Sequence, residues 1–284
     1  MNSKSENISN LRRLQLSQLM IAKEIKRICD ANGISYFLAS GTLLGAVRHR
    51  GFIPWDDDLD IGMPRKDYEK FLRVFEKKAD TKNFFLQTFD TDLEYGLSFA
   101  KVRMNGTFFY ESVMSKVNCH KGIFVDVFPF DDAASLRVAK KAHILLYQVF
   151  SKMFLYRKNF IPRGTNKIKY VISRVVRYLA FLLPEKMLKS TVLFIMTYFS
   201  GNAKRLVNLC GDYGYRECID ADDPFEEIEF ENTLFRVPCG REQYLKNVYG
   251  DYMQLPPLEK RGNKHGNANS CDTKFCEIEL DKNS

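Results

Sequence analysis

Four aspartates, Asp56, Asp57, Asp58 and Asp60, stand within five positions in the stretch SGTLLGAVRHRGFIPWDDDLDIGMPRKDY (40–68), directly against Leu59, Ile61, Met63 and the only tryptophan, Trp55. Side chains alternate faces along a strand. A strand that turns Leu59 and Ile61 into a core must therefore carry Asp58 and Asp60 together on its other face, about 7 Å apart at their Cα atoms. Carboxylates that close repel unless something cationic sits between them. The chain is thus held to folds in which this strand ends at an open sheet edge, where a divalent cation or a cationic group can meet both.

The surrounding pattern supplies such a sheet. Leu11, Leu14, Ile21, Ile25 and Ile28 mark one face of a first helix that Gly33 can end. ISYFLAS (34–40) reads as a buried strand that Gly41 turns into LLGAV. LDIGM (59–63) reads as a second strand, and DYEKFLRVFEKKA (67–79) as a helix with Tyr68, Phe71, Leu72 and Phe75 inward. FFLQTF (84–89), SFAKVRM (98–104), TFFYES (107–112) and GIFVDVFPF (122–130) follow as strands, with Asn105-Gly106 marking a tight hairpin. The expected fold class is α/β (α+β). A mixed sheet core fills residues 1–132, a basic, mostly helical subdomain residues 133–203, and a segment packing back on the core residues 204–284.

The net charge of +8 is concentrated in one segment. Residues 137–189 hold 13 Lys and Arg against one acid, Glu185, whereas the rest of the 284-residue chain holds 30 bases against 34 acids. The same region carries the apolar runs HILLYQVFSKMFLY (143–156), KYVISRVVRYLAFLLP (169–184) and STVLFIMTYFSGNA (190–203), the last short of the roughly 20 residues a spanning helix needs. Val171, Ile172, Val175, Val176 and Leu179 recur at helical spacing, interrupted by Arg174 and Arg177. Two readings stay open: helices packed on the core with a solvated basic face, or an interfacial patch on anionic lipid. A nucleic-acid groove ranks third. The first twenty residues lack the apolar core and cleavage site of a secretory signal, and seven irregularly spaced cysteines suit a reducing compartment. The expected location is cytoplasmic, peripheral at the inner membrane face under the second reading. Cys271, Cys276 and His265 fall short of a zinc ligand set.

Asp126 interrupts the apolar strand GIFVDVFPF, where an unpaired carboxylate is costly. Either it pairs with Lys101 or Arg103 as a structural residue, or it joins Asp58 and Asp60 as the third ligand of a metal site. Oxygen ligands favour hard ions such as Mg²⁺ or Mn²⁺, which share their coordination with substrate phosphates. Strand, Gly41-Thr42, short helix, Asp-x-Asp and a later strand Asp is the nucleotidyltransferase order, in which the glycine turn offers backbone N–H groups to a phosphate.

The segments SGTLLGAVRHRGFIPWDDDLDIGMPRKDYEKF, FFLQTFDTDLEYGLSFAKVRMNGTFFYE, GIFVDVFPFD and YGDYMQLPPLEKRGNKH resemble successive motifs of LicD-type proteins, the phosphocholine transferases related to fukutin-related protein. The resemblance implies a nucleotidyltransferase-like fold that moves phosphocholine from CDP-choline to a sugar hydroxyl, releasing CMP. The acceptor would be a cell-surface glycan or lipid-linked oligosaccharide (teichoic acid, lipopolysaccharide or capsule precursor). Carried onto this chain, it makes Gly41 and Thr42 the phosphate turn, Asp58 and Asp60 the metal pair, and Asp126 the third ligand and base. Lys101 and Arg103 would neutralise the diphosphate, with Arg48 as a weaker candidate. Choline recognition asks for aromatic faces, for which Trp55 and Tyr110 are candidates. His49 reads as a surface or packing residue. Three alternatives remain: a CDP-ribitol or CDP-glycerol donor, true nucleotidyl transfer, and a catalytically idle binding module.

Overall fold

The computed structural model describes residues 9–160, 167–201, 203–262 and 266–272. Helix α1 (Asn10–Asn32) starts where the Ser9 hydroxyl accepts the Arg12 N–H at 3.2 Å, and ends at Gly33, whose φ of 57° only glycine adopts without cost. Its predicted apolar face is buried, and so, unexpectedly, are Gln15 and Gln18. Strand β1 is shorter than ISYFLAS, covering only Phe37–Leu38. Beyond it the Ala39 N–H reaches the Asp60 carbonyl at 3.0 Å, Ser40 takes a positive φ of 48°, and α2 (Ser40–His49) begins at once. Gly41 therefore sits inside the first turn of a helix, not in a turn before it.

Strands β2 (Asp60–Pro64), β3 (Phe84–Gln87), β4 (Ala100–Met104) and β6 (Phe124–Asp132) join β1 in the order β1-β2-β6-β4-β3, with β2 and β6 parallel and the other pairs antiparallel. Helix α3 (Arg65–Lys78) buries Tyr68, Phe71 and Phe75 against this sheet. The chain does turn at Asn105-Gly106, where Gly106 has φ 71°, but no β-hairpin follows. Both edges of β4 are already taken, so β5 (Phe108–Glu111) pairs instead with the distant β11 (Gly266–Asp272). His265 and Cys276 lie outside the described residues.

Gly62, in the middle of β2, is fixed by aromatic packing. A Cβ there would stand 2.5 Å from the Phe37 ring and 2.7 Å from that of Phe130, rings that meet edge to face at 4.8 Å. Gly62→Ala is expected to lose about 1–3 kcal/mol of stability, read by urea unfolding.

Strands β7 (Arg205–Val207) and β8 (Cys218–Asp220) extend the far end of β6, β9 (Phe225–Phe230) and β10 (Thr233–Pro238) form a separate hairpin, and α7 (Arg241–Tyr249) packs on α2. The basic region folds as α4 (Arg137–Arg157), α5 (Lys167–Phe181) and α6 (Glu185–Thr197). Two of its cations turn inward. Arg157 donates to the Ala180 and Leu183 carbonyls at 2.7 Å each, and Lys158 meets Glu185 at 2.6 Å. Buried His143 binds the Ile195 carbonyl at 2.6 Å and the Tyr215 hydroxyl at 2.8 Å, tying α4 to α6. No helix among the described residues is long and apolar enough to cross a membrane.

Candidate active site

Asp60 on β2 stands in register with Asp126 on β6, and Asp126 with Lys101 on β4. Three ionisable side chains thus line up on one face across adjacent strands, about 4.8 Å apart. They face a cavity of about 1300 Å³ whose wall also includes Asp56, Asp58, Ser40, Gly41, Arg48 and Trp55. Asp56, Asp57 and Asp58 bring one carboxylate oxygen each within 4.8 Å of one another, although Asp57 itself is buried. The predicted trio Asp58, Asp60 and Asp126 is not gathered that tightly, because Asp126 leans on Lys101 at 2.7 Å. The aspartate loop is fastened from behind. Gln15 and Gln18 donate to the Asp56 and Asp57 carbonyls at 3.0 and 2.9 Å.

Burial, followed by the neighbouring charges of Asp58, Asp126, Glu217 and Asp56, pushes the Asp60 carboxyl well above the ordinary aspartate value. Asp126 is raised by burial too, but the Lys101 ammonium beside it opposes the shift. The face therefore holds more carboxylate than cation.

The remaining predicted residues separate into two groups. Gly41 and Arg48 line the cavity, whereas Thr42 lies behind it: its hydroxyl accepts the Asp60 N–H at 2.8 Å and so fixes where β2 begins. Lys101 reaches the cavity but is 2% exposed, paired with Asp126, 3.4 Å from Glu111 and 3.3 Å above the Phe124 ring centre. Arg103 is fully buried outside the cavity, donating to Gln87 at 2.5 Å, the Gly122 carbonyl at 2.8 Å and Glu111 at 3.0 Å. It cannot touch a diphosphate there. Trp55 lines the cavity with the Arg261 guanidinium 5.2 Å from its ring centre. Tyr110 points to solvent, because alternation along β5 turns Phe109 inward and Glu111 toward Lys101 and Arg103.

Sequence reasoning passed over Glu111 and Glu217, and assigned no role to the residues of YGDYMQLPPLEKRGNKH. Glu217 is wholly buried; it accepts from the Ser40 hydroxyl, from Tyr244 Oη at 2.7 Å and from Asn208 at 3.1 Å, while Tyr244 Oη accepts the Ser40 N–H at 3.0 Å. This network anchors the first turn of α2 at the cavity. Tyr249, Tyr252 and Arg261 line the far wall, and the Tyr252 carbonyl accepts from Arg48 at 2.8 Å. The density of tyrosine, proline and arginine in that motif was the available signal.

In this mixed α/β sheet the parallel strands β2 and β6 carry Asp60 and Asp126 near their starts, and the first turn of α2 lines the same cavity. Residues 33–166 match the family model described as LicD/FKTN/FKRP, nucleotidyltransferase domain. Over 265 residues, 90% of this chain and 96% of the relative, it is 29% identical to the lipopolysaccharide cholinephosphotransferase LicD of Haemophilus influenzae. A shorter match, 44% identical over 46 residues, covers 16% of this chain and 9% of the ribitol 5-phosphate transferase FKRP of Homo sapiens. An uncharacterized protein of Rickettsia prowazekii is 44% identical over 84 residues, 28% of this chain and 31% of that protein.

Proposed function

We propose that the protein transfers phosphocholine from CDP-choline to a sugar hydroxyl of a cell-surface glycan, releasing CMP. The observation that carries this reading is near full-length similarity to a lipopolysaccharide cholinephosphotransferase, combined with the carboxylate face in a cavity large enough for a nucleotide. The first turn of α2, at Ser40 and Gly41, offers the positive end of a helix dipole to the donor phosphates, and Arg48 adds a full charge. Asp126, steadied by Lys101, would take the proton of the acceptor hydroxyl. Trp55, Tyr249 and Tyr252 supply aromatic faces to a quaternary ammonium.

The donor set fits Mg²⁺ or Mn²⁺. It consists of carboxylate oxygens, and the Asp60 carboxyl is raised by burial first and by its carboxylate neighbours second. Asp56, Asp58 and Asp60 would hold such an ion, with Asp126 beside them. Bound there, it would neutralise charge on the phosphate oxygens during transfer. Activity is expected to disappear in excess chelator and return with Mg²⁺ or Mn²⁺, not with zinc. Full turnover of metal-stripped enzyme in chelator would refute the ion's role.

The transfer itself is tested by product analysis with CDP-choline and a lipopolysaccharide or teichoic acid acceptor. CMP and a phosphocholine-bearing glycan are expected; free phosphocholine with a cytidylylated acceptor would overturn the proposal in favour of nucleotidyl transfer. The local match to a ribitol 5-phosphate transferase favours one second reading, a CDP-ribitol donor at the same carboxylates. Faster CMP release from CDP-ribitol than from CDP-choline would select it.

A further inference from the structure

Helix α5 is packed the wrong way round for a protein that meets only water. Its buried residues are the small Ser173 and Ala180, which let it lie against its neighbour α4. On the opposite side of the helix, Ile168, Val171, Val175 and Tyr178, continued by Leu182 just past its end, form a stripe in which Ile168 is 70% and Leu182 68% exposed. Water-soluble helices turn such a stripe inward, and contiguous apolar surface of this kind marks an interaction site.

We propose that α5 rests on an anionic phospholipid surface, with this stripe in the acyl boundary and Arg174 and Arg177 at the headgroup phosphates. Charge decides for lipid over a second copy of the chain. The stripe belongs to the segment with 13 bases and one acid, so two copies meeting face to face would repel, whereas an anionic bilayer attracts. Tyr178 places an amphipathic ring within the stripe, as suits a headgroup boundary. With no spanning helix among the described residues, this contact lies on the bilayer and does not cross it. The sequence alone left open two readings, a solvated basic face with the apolar side packed and an interfacial patch on anionic lipid; the exposed apolar stripe favours the second.

The position of α5 relative to the cavity gives the contact a use. Tyr156 and Phe160 wall the large cavity, and they also wall a small recess shared with Lys116, Arg174 and Arg177. An α5 seated on lipid would bring the cavity close to the headgroup plane. A glycan acceptor would then arrive while still attached to its membrane carrier, a consequence that rests on the transferase reading above.

The docking itself is tested without donor or acceptor, so its failure leaves the transfer reading untouched. Wild type should sediment with phosphatidylglycerol/phosphatidylcholine vesicles and not with pure phosphatidylcholine, and part of the bound protein should resist release by salt. Arg174→Glu with Arg177→Glu should weaken binding at low salt on the order of 30-fold. Val171→Ser with Val175→Ser and Leu182→Ser should remove the salt-resistant fraction on the order of 100-fold. These side chains are exposed, so an unchanged circular dichroism spectrum and melting temperature are expected alongside. Wild type remaining in the supernatant at low salt would overturn the proposal. So would a concentration-dependent dimer in wild type that the triple serine variant turns into monomer without altering vesicle binding.

Discussion

Asp60→Asn is expected to reduce turnover by about 10³-fold or more while leaving the melting temperature unchanged or raised. Asp60 is 8% exposed, is surrounded by Asp58, Asp126, Glu217 and Asp56, and has its carboxyl pushed well above the ordinary aspartate value by burial first and those neighbours second. A group whose folded-state pKa is raised favours folding most when protonated. That contribution is complete below the unfolded value and is lost as pH rises through the folded one. In chelator, the stability advantage of the asparagine variant should therefore be absent near pH 3 and grow as pH rises toward neutrality. Added Mg²⁺ should stabilise wild type more than the variant, because an ion that binds only the folded state stabilises it in proportion to its affinity. Thermal unfolding across pH, with and without Mg²⁺, reads both effects. A variant that melts far below wild type at neutral pH would make Asp60 a structural residue.

The contrast between Asp60 and Arg103 shows what a sequence displays and what it hides. Alternation at Leu59, Asp60 and Ile61, and the lone carboxylate of Asp126 between valines, are local patterns with a direct geometric meaning, and the strands place both groups on one face as expected. The length of β1 and the partner of β5 were not legible, because each depends on which strand edges are left free by the rest of the sheet. Lys101 and Arg103 fell to the same limit. A basic residue on a strand reads identically whether its partner is a bound phosphate or a carboxylate, and the carboxylate here, Glu111, comes from a turn and strand that pair elsewhere. Glu217 was hidden for a related reason: its partners Ser40 and Tyr244 are far away in sequence. For α5 the sequence left two readings open, because periodicity reveals an apolar face but not the direction in which it points.

Arg103→Met should then lower stability by about 3–5 kcal/mol, a fall in melting temperature of roughly 10 °C, and should do so with or without nucleotide present. The guanidinium is completely buried, and three of its contacts are lost together: the Gln87 side chain, the Gly122 carbonyl and the Glu111 carboxylate. Methionine fills part of the space but leaves these acceptors dry and short of a donor, and an unmet buried acceptor costs the full penalty of its lost hydration. Against burial, which raises it, Lys101 and Arg103 together hold the Glu111 carboxyl below the ordinary glutamate value; without Arg103 only Lys101 at 3.4 Å remains, and a closer pairing draws its ammonium away from Asp126. Turnover should therefore fall indirectly, through a misplaced Asp126. Arg103→Lys should restore little, since an ammonium cannot reach all three acceptors in the fixed geometry of the planar fork. Arg48→Ala supplies the control: Arg48 lines the cavity, so its loss should raise the KM for the CDP donor about tenfold with little change in melting temperature. An Arg103→Met protein that melts like wild type and shows only a raised KM would return Arg103 to the diphosphate.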